Sequence, residues 1–152
     1  MSAGPHLLLV EGRFYSDLSD ELAAGALAAI EGVGGTAERV AVPGALEIPG
    51  AIRLALAARG ANGHHRFDGF VALGCVIRGE TTHYETVAGE SARGLMTLTL
   101  EGVALGNGIL TVENYDQAWV RAKRDDGDKG GDAARAALAL IGLKRRFQAP
   151  GT

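Results

Sequence analysis

The sequence predicts an α/β fold, a single-domain three-layer α/β/α sandwich in which a four-stranded parallel sheet is flanked by about five helices. Short apolar runs of strand length alternate along the chain with longer alanine-rich stretches of helical pattern. The short runs are apolar throughout, which is typical of strands buried on both faces of a sheet. Residues 1–152 are expected to form one domain, with 1–5 and 148–152 as flexible tails.

The elements follow from apolar runs and from the residues that begin and end helices. Ser16 or Asp17 is expected to cap the first helix, and Gly32 to end it. Pro49 suits a first helical turn, where its missing N–H is not needed, and Asn114 is a typical helix cap. The predicted order is strand 7–11, helix 17–30, strand 38–42, helix 49–59, strand 69–75, helix 82–101, strand 108–112, helix 115–122 and helix 129–146.

Composition argues against several classes of protein. The 15 basic and 18 acidic residues give a net charge of −3, without the basic excess of nucleic-acid-binding proteins. The first residues lack the charged and apolar regions of a signal peptide, and no apolar run is long enough to span a membrane, so a cytoplasmic protein is expected. Cys75 lies alone in an apolar run, which favours a small buried side chain over a nucleophile.

The loops after the strands carry residues suited to chemistry, because ligands bind beyond the carboxyl ends of parallel strands. Phe14 either packs within its loop or stacks on a planar heterocycle. Glu47 either caps a helix or binds hydroxyl groups. The loop 78–83 offers amides, two threonine hydroxyls and His83, whose side chain exchanges protons near neutral pH. Together these loops predict a site for a small phosphorylated molecule.

Two further groups have an ordinary and a functional interpretation. Arg121 and Lys129 flank a polar kink, where solvated charges are common, and each is also a candidate ligand for an anion. Leu95, Leu98 and Val103 belong either to the core or to an apolar face that binds a partner.

Six motifs at these strand ends and helix starts together resemble the lumazine synthase family, from about Arg13 to Leu143. They are Arg13-Phe14, 42–49, 73–84, 108–111, Gln117-Ala118 with Arg121-Ala122, and Asp128-Lys129-Gly130. The resemblance implies a flavodoxin-like fold and a transferase of riboflavin biosynthesis. This enzyme condenses 5-amino-6-(D-ribitylamino)uracil with 3,4-dihydroxy-2-butanone 4-phosphate to 6,7-dimethyl-8-ribityllumazine, phosphate and water, with no metal and no cofactor.

The resemblance also implies roles for individual residues. His83 and Arg121 would be catalytic, and Phe14 would stack on the uracil ring. The residues implied for the ribitylaminouracil are Phe14, Gly44, Ala45, Glu47, Val76, Ile77, Arg78, Asn107 and Lys129. The residues implied for the phosphate are Gly79, Glu80, Thr81, Thr82 and Arg121.

Family members assemble as pentamers with sites between neighbouring subunits, so Asn107, Arg121 and Lys129 would reach in from the adjacent chain. Riboflavin synthase is a further partner that the resemblance suggests. The segment 123–128 differs from the Gly-Thr-Lys-Ala-Gly stretch associated with icosahedral relatives, which favours a pentamer or a pair of pentamers over a 60-subunit shell.

Three residues depart from the family pattern, and two other functions remain as alternatives. Asn107 stands where many relatives have phenylalanine, and Tyr15 and Asp128 stand where others have asparagine. One alternative is a relative that binds flavin or lumazine, or forms shells, without catalysis. The other is a flavodoxin-like or response-regulator domain, although the acidic pair of a receiver is missing after the first strand.

Overall fold

The computed structural model describes residues 4–150, in which four parallel strands form one sheet between two layers of helices. The elements are β1 (His6–Gly12), α1 (Ser16–Gly32), β2 (Thr36–Val42), a 3-10 turn (Ala45–Glu47), α2 (Ile48–Ala55), β3 (Gly69–Ile77), α3 (His83–Leu100), β4 (Leu105–Val112), α4 (Tyr115–Ala122) and α5 (Lys129–Gln148). The strand order is β2-β1-β3-β4. The predicted sandwich of four parallel strands and five helices is confirmed.

The two faces of the sheet pack against different helices. Leu7 and Leu9 of β1 face the layer formed by α1, α4 and α5. Leu8 and Val10 face the layer formed by α2 and α3. Since both faces of β1 are covered, its side chains from Leu7 onward are buried, which explains a run that is apolar without alternation.

One predicted helix cap is confirmed and another is wrong. The side chain of Asn114 accepts a hydrogen bond from the N–H of Gln117 at 2.9 Å, as expected for the cap of α4. The cap position of α1 is instead Tyr15, which makes no side-chain cap bond, and Ser16 is already helical. Asp17, the other predicted cap, is bonded to Tyr115 and to the neighbouring Leu18 N–H.

Two elements differ from the prediction by three or more residues at one end. Strand β4 begins at Leu105, three residues early, because residues 105–112 pair continuously with residues 70–77 of the buried strand β3. This pairing overrides the weak strand propensity of the two glycines and of Asn107. Helix α2 ends at Ala55, four residues earlier than predicted, because the chain then turns into a loop. In this loop Arg59 and His65 form an isolated antiparallel β-bridge.

The apolar surface left exposed is not the one considered from the sequence. Leu95, Leu98 and Val103 are buried against the sheet and belong to the core. Leu100, at the end of α3, is 81% exposed, and Leu54 of α2 is 79% exposed. Among residues 4–150, no helix is both long enough and apolar enough to cross a membrane.

Candidate active site

A cavity of about 330 Å³ lies at the carboxyl ends of β1 and β3. The chain order of the sheet reverses here, since β2 lies on one side of β1 and β3 on the other. Ligands of parallel sheets bind at such a position. The predicted site residues that line the cavity are Phe14, Gly44, Ala45, Glu47, Val76, Ile77 and His83.

The loops after β1 and β2 form one wall of the cavity because they approach each other closely. A Cβ atom added to Gly12 would lie 2.9 Å from the carbonyl carbon of Gly44 and 3.0 Å from the nitrogen of Ala45. Only glycine permits this approach. Beside it, Phe14 is 75% exposed and its ring contacts Tyr15 edge-on, with ring centroids 5.0 Å apart. The Phe14 ring therefore presents an exposed aromatic surface to the cavity.

Glu47 lies at the cap position of α2, yet its carboxylate makes no cap hydrogen bond. Within residues 4–150 that carboxylate has no hydrogen-bonding partner at all, and it lines the cavity. The capping interpretation of Glu47 is therefore wrong. Its two oxygens remain available to accept hydrogen bonds from a bound molecule.

The loop from Gly79 to Thr82 does not line the cavity itself, but it connects Ile77 with His83, which do, and it leads into the N-terminus of α3, an 18-residue helix. Its four amide N–H groups donate to no backbone carbonyl in the described part of the chain. The hydroxyl oxygen of Thr81 accepts a hydrogen bond from the N–H of His83 at 3.3 Å. Unbonded amides at the positive end of a long helix suit an anion such as phosphate.

The side chain of Arg78 is already occupied by protein groups. Its guanidinium group donates to Glu85 at 2.6 Å and to Glu113 at 2.9 Å, and it lies 4.3 Å from the centre of the Tyr84 ring. The hydrogen bonds to Glu85 and then to Glu113 raise the pKa of Arg78. Its backbone N–H also donates to Val112, so among the described residues the carbonyl oxygen and the guanidinium nitrogen Nη2 are the groups of Arg78 left for a ligand.

Three other predicted site residues lie on elements away from this loop, and they do not line the cavity either. Arg121 is exposed on α4 and donates to the carbonyl of Gln117 at 2.9 Å. Asn107 lies within β4, where its side-chain oxygen accepts from the N–H of Ile109 at 2.9 Å. Lys129 is the first residue of α5 and does not line the cavity either. One chain therefore brings together only part of the predicted site.

Four cavity residues were not predicted from the sequence as part of the site: Tyr15, Leu46, Cys75 and Val87. Val87 follows His83 by one helical turn, so the helical period was a signal that would have found it. Cys75 was expected in the core, and the structure confirms a half-buried thiol packed against the core cluster. Burial raises its pKa to about 11.

The raised pKa of Cys75 predicts a pH dependence of stability. While the thiol is neutral in both the folded and the unfolded chain, its burial has no electrostatic cost. Between its ordinary pKa of 9.0 and about 11, the unfolded chain loses the proton first, so the free energy of unfolding should fall with rising pH. Denaturant titrations of wild type and Cys75→Ala should diverge in this interval. Parallel curves from pH 8 to 11 would contradict the prediction.

The residue Asp128, one of the departures from the family pattern, has a structural role. Its side chain accepts from the N–H of Gly131 at 3.3 Å and caps α5, and its backbone is left-handed with φ of 46°. The carboxylate also pairs with Arg135 at 3.2 Å. The negative charge of Asp128 is therefore engaged by a cap and a cation.

A larger cavity of about 550 Å³ lies at the opposite edge of the sheet. Two of the cations that line it already have partners, since Arg145 pairs with Asp68 at 3.4 Å and Lys144 donates to the carbonyl of Gly102 at 3.2 Å. The amino ends of parallel strands are also not where such sheets bind ligands. The cavity beside His83 is therefore the better candidate site.

Comparisons with known proteins all point to one enzyme family. Residues 4–145 match the family described as 6,7-dimethyl-8-ribityllumazine synthase. The chain is 60% identical over 146 residues to 6,7-dimethyl-8-ribityllumazine synthase 1 of Rhizobium meliloti strain 1021, covering 95% of this chain and 94% of that protein. It is 59% identical over 140 residues to the 6,7-dimethyl-8-ribityllumazine synthase of Novosphingobium aromaticivorans, covering 92% and 96%. The chain belongs to the 6,7-dimethyl-8-ribityllumazine synthase family.

Proposed function

We propose that this protein condenses 5-amino-6-(D-ribitylamino)uracil with 3,4-dihydroxy-2-butanone 4-phosphate to form 6,7-dimethyl-8-ribityllumazine in riboflavin biosynthesis. One observation carries the proposal. In a chain of this family, a single cavity joins an exposed aromatic ring, an unbonded carboxylate and an imidazole. The loop 79–82, whose amides have no bonding partner among residues 4–150, connects two residues of the cavity wall, Ile77 and His83. The protein would act in the cytoplasm without a metal or cofactor.

The ribitylaminouracil would bind along the wall formed by the loops after β1 and β2. Phe14 would stack on its ring, since aromatic stacking on a nucleobase contributes about 1–3 kcal/mol. The carboxylate of Glu47 and the backbone of Gly44 and Ala45 would bind the ribityl hydroxyls. The backbone of residues 76–78 would meet the polar edge of the pyrimidine, while the Arg78 side chain stays bonded to Glu85 and Glu113.

The phosphate of the second substrate would bind the loop of Gly79, Glu80, Thr81 and Thr82 through amides and threonine hydroxyls. Arg121 of a neighbouring copy would complete this site. A guanidinium group can make two parallel charge-assisted hydrogen bonds to phosphate. Such an arrangement favours a phosphorylated ketone over its unphosphorylated form.

The chemistry would rest on arrangement first and on proton transfer second. The amine adds to the ketone, and the adduct loses water to form an imine. Phosphate is then eliminated, and ring closure releases a second water. Holding the two reactants face to face gives part of an effective molarity that reaches about 10⁵–10⁸ M in favourable cases. His83 would move protons in these steps, and a positioned acid or base typically contributes about 10²–10⁴-fold.

The active form would be a pentamer in which Asn107, Arg121 and Lys129 complete the site of the adjacent chain. Two observations support this. Arg121 and Lys129 lie outside the cavity of their own chain, and apolar side chains such as Leu54 and Leu100 are exposed. Light scattering should give a mass five times, or a multiple of five times, that of the 15.7-kDa chain. Riboflavin synthase is a further candidate partner.

The activity is tested by mixing the purified protein with both substrates and following lumazine absorbance together with phosphate release. The two signals should rise together and should require both substrates. A protein that binds added lumazine but forms none from the substrates would be a carrier, and that result would overturn the proposed activity.

A further inference from the structure

We propose that Arg13 is a positioning residue whose guanidinium group fixes the loop that presents Phe14 to the cavity. The inference rests on the proposed function, because Phe14 is the ring assigned to the uracil. It adds a role for a network of charges at the base of this loop, formed by Glu11, Arg13, Asp20 and Arg39.

Glu11 provides a fixed acceptor at the end of β1. Its side chain is 2% exposed, and its carboxylate accepts hydrogen bonds from Arg39 at 2.7 and 2.9 Å and from Arg13 at 2.8 Å. A carboxylate buried this deeply is stable only with a charged partner, because removal from water is costly. Arg39, on the adjacent strand β2, donates two hydrogen bonds to Glu11, so this carboxylate should keep a charged partner when Arg13 is replaced.

The other end of the Arg13 guanidinium group reaches α1. One nitrogen donates to the carboxylate of Asp20 at 2.8 Å and to the carbonyl of Ser16 at 3.4 Å. The backbone N–H of Arg13 donates to the carbonyl of Val42 at 3.4 Å. Arg13 is therefore bonded to the ends of β1 and β2 and to the first turns of α1.

These contacts enclose a two-residue loop. Only Phe14 and Tyr15 separate Arg13 from Ser16, so the bond between Arg13 and the Ser16 carbonyl closes over them. In the described part of the chain, the N–H groups of Phe14 and Tyr15 donate to no backbone carbonyl. Tyr15 is held separately, because its carbonyl accepts from the N–H of Ser19 at 3.0 Å and its ring packs against the core. The contacts of Arg13 therefore act on the side of the loop that carries Phe14. A ring that is fixed before binding loses less conformational freedom when the substrate arrives.

The test is a double-mutant cycle that measures binding of the ribitylaminouracil alone by titration calorimetry. Phe14→Ala is expected to weaken binding about 10- to 100-fold through lost stacking. Arg13→Ala is expected to weaken it about tenfold, because a displaced ring stacks poorly. Adding Arg13→Ala to Phe14→Ala should cause no further loss, because Arg13 acts only through that ring. The Michaelis constant for the butanone phosphate should stay unchanged in the Arg13 variant.

A second variant and a control complete the design. Asp20→Asn removes the negative charge that pairs with Arg13 on α1 and leaves Glu11 paired. It should weaken binding of the uracil in the same way as Arg13→Ala, but by a smaller factor. It enters the same cycle if Arg13→Ala fails to fold. Arg66→Ala is the matched control. Like Arg13, Arg66 pairs with a carboxylate on a strand, but this is Glu38 of β2, at the opposite edge of the sheet. Its binding of the uracil should equal that of wild type.

The outcomes separate this inference from the proposed function. Additive losses in the cycle, or equal weakening of both substrates, would overturn the positioning role and leave Phe14 as a ligand. Unchanged binding by Phe14→Ala would refute the assignment of Phe14 to the uracil, and the role of Arg13 would fall with it.

Discussion

Turnover by the His83→Ala variant is expected to be about 100- to 10,000-fold slower than that of wild type, with both Michaelis constants nearly unchanged. His83 begins α3, and its exposed imidazole lines the cavity. Within residues 4–150 its ring nitrogens have no hydrogen-bonding partner, so the ring can exchange protons with a substrate. Removing it should cost proton transfer and leave the binding surfaces of the cavity intact. Steady-state kinetics with each substrate varied in turn measures both quantities.

His65→Ala is the matched control for this variant. His65 is also exposed, but it lies beside Arg59 at the other edge of the sheet. Its replacement should leave kcat unchanged. Near wild-type turnover by His83→Ala would rule out His83 as the main proton carrier. A rise in the Michaelis constants with unchanged kcat would make His83 a binding residue.

The Arg121→Ala variant is expected to raise the Michaelis constant for the butanone phosphate about 10- to 150-fold, from the loss of hydrogen bonds worth about 1.5–3 kcal/mol. Among residues 4–150 of its own chain, the Arg121 guanidinium group donates only to the Gln117 carbonyl, and α4 leaves it exposed. It therefore has donors available for an anion on a neighbouring subunit. The Michaelis constant for the ribitylaminouracil should change much less, since the phosphate contact belongs to the other substrate.

Two comparisons sharpen this prediction. Arg121→Lys should recover only part of the affinity, because an ammonium group lacks the planar fork of donors. Arg146→Ala, which removes an exposed arginine near the end of α5, should have no effect on either substrate. An effect of Arg121→Ala on the uracil alone would contradict the assignment to the phosphate.

Much of the fold could be predicted because its signals are local. The buried strands β1 and β3 show as unbroken apolar runs, and the cap of α4 shows as Asn114. The start of β4 could not be predicted, since its glycines and Asn107 form a strand only by pairing with β3. The position of Leu95 and Leu98 in the core was also open, because periodicity identifies an apolar face but not what covers it.

The candidate site divides in the same way. The loops after β1, β2 and β3 were predicted as one site because the carboxyl ends of parallel strands lie at one edge. The cavity is lined by residues of the first two loops, and the third contributes only Ile77 and His83 at its two ends. Tyr15 and Leu46 were missed because their packing depends on how closely two loops approach each other. That approach is possible because Gly12 has no side chain. Arg121 lies on α4, outside this edge, and its link to the site concerns a second copy of the chain.

The most direct test of a site shared between copies is complementation between two impaired variants. Assemblies of His83→Ala alone or Arg121→Ala alone have a defect in every site. When the two variants are co-expressed in equal amounts and form mixed rings, about a quarter of the sites should pair an intact His83 with an intact Arg121 of the neighbour. Activity at saturating uracil and low butanone phosphate should then rise to about a quarter of the wild-type value. Activity no higher than the average of the separate variants, with mixed rings verified by mass spectrometry, would show that each site lies within one chain.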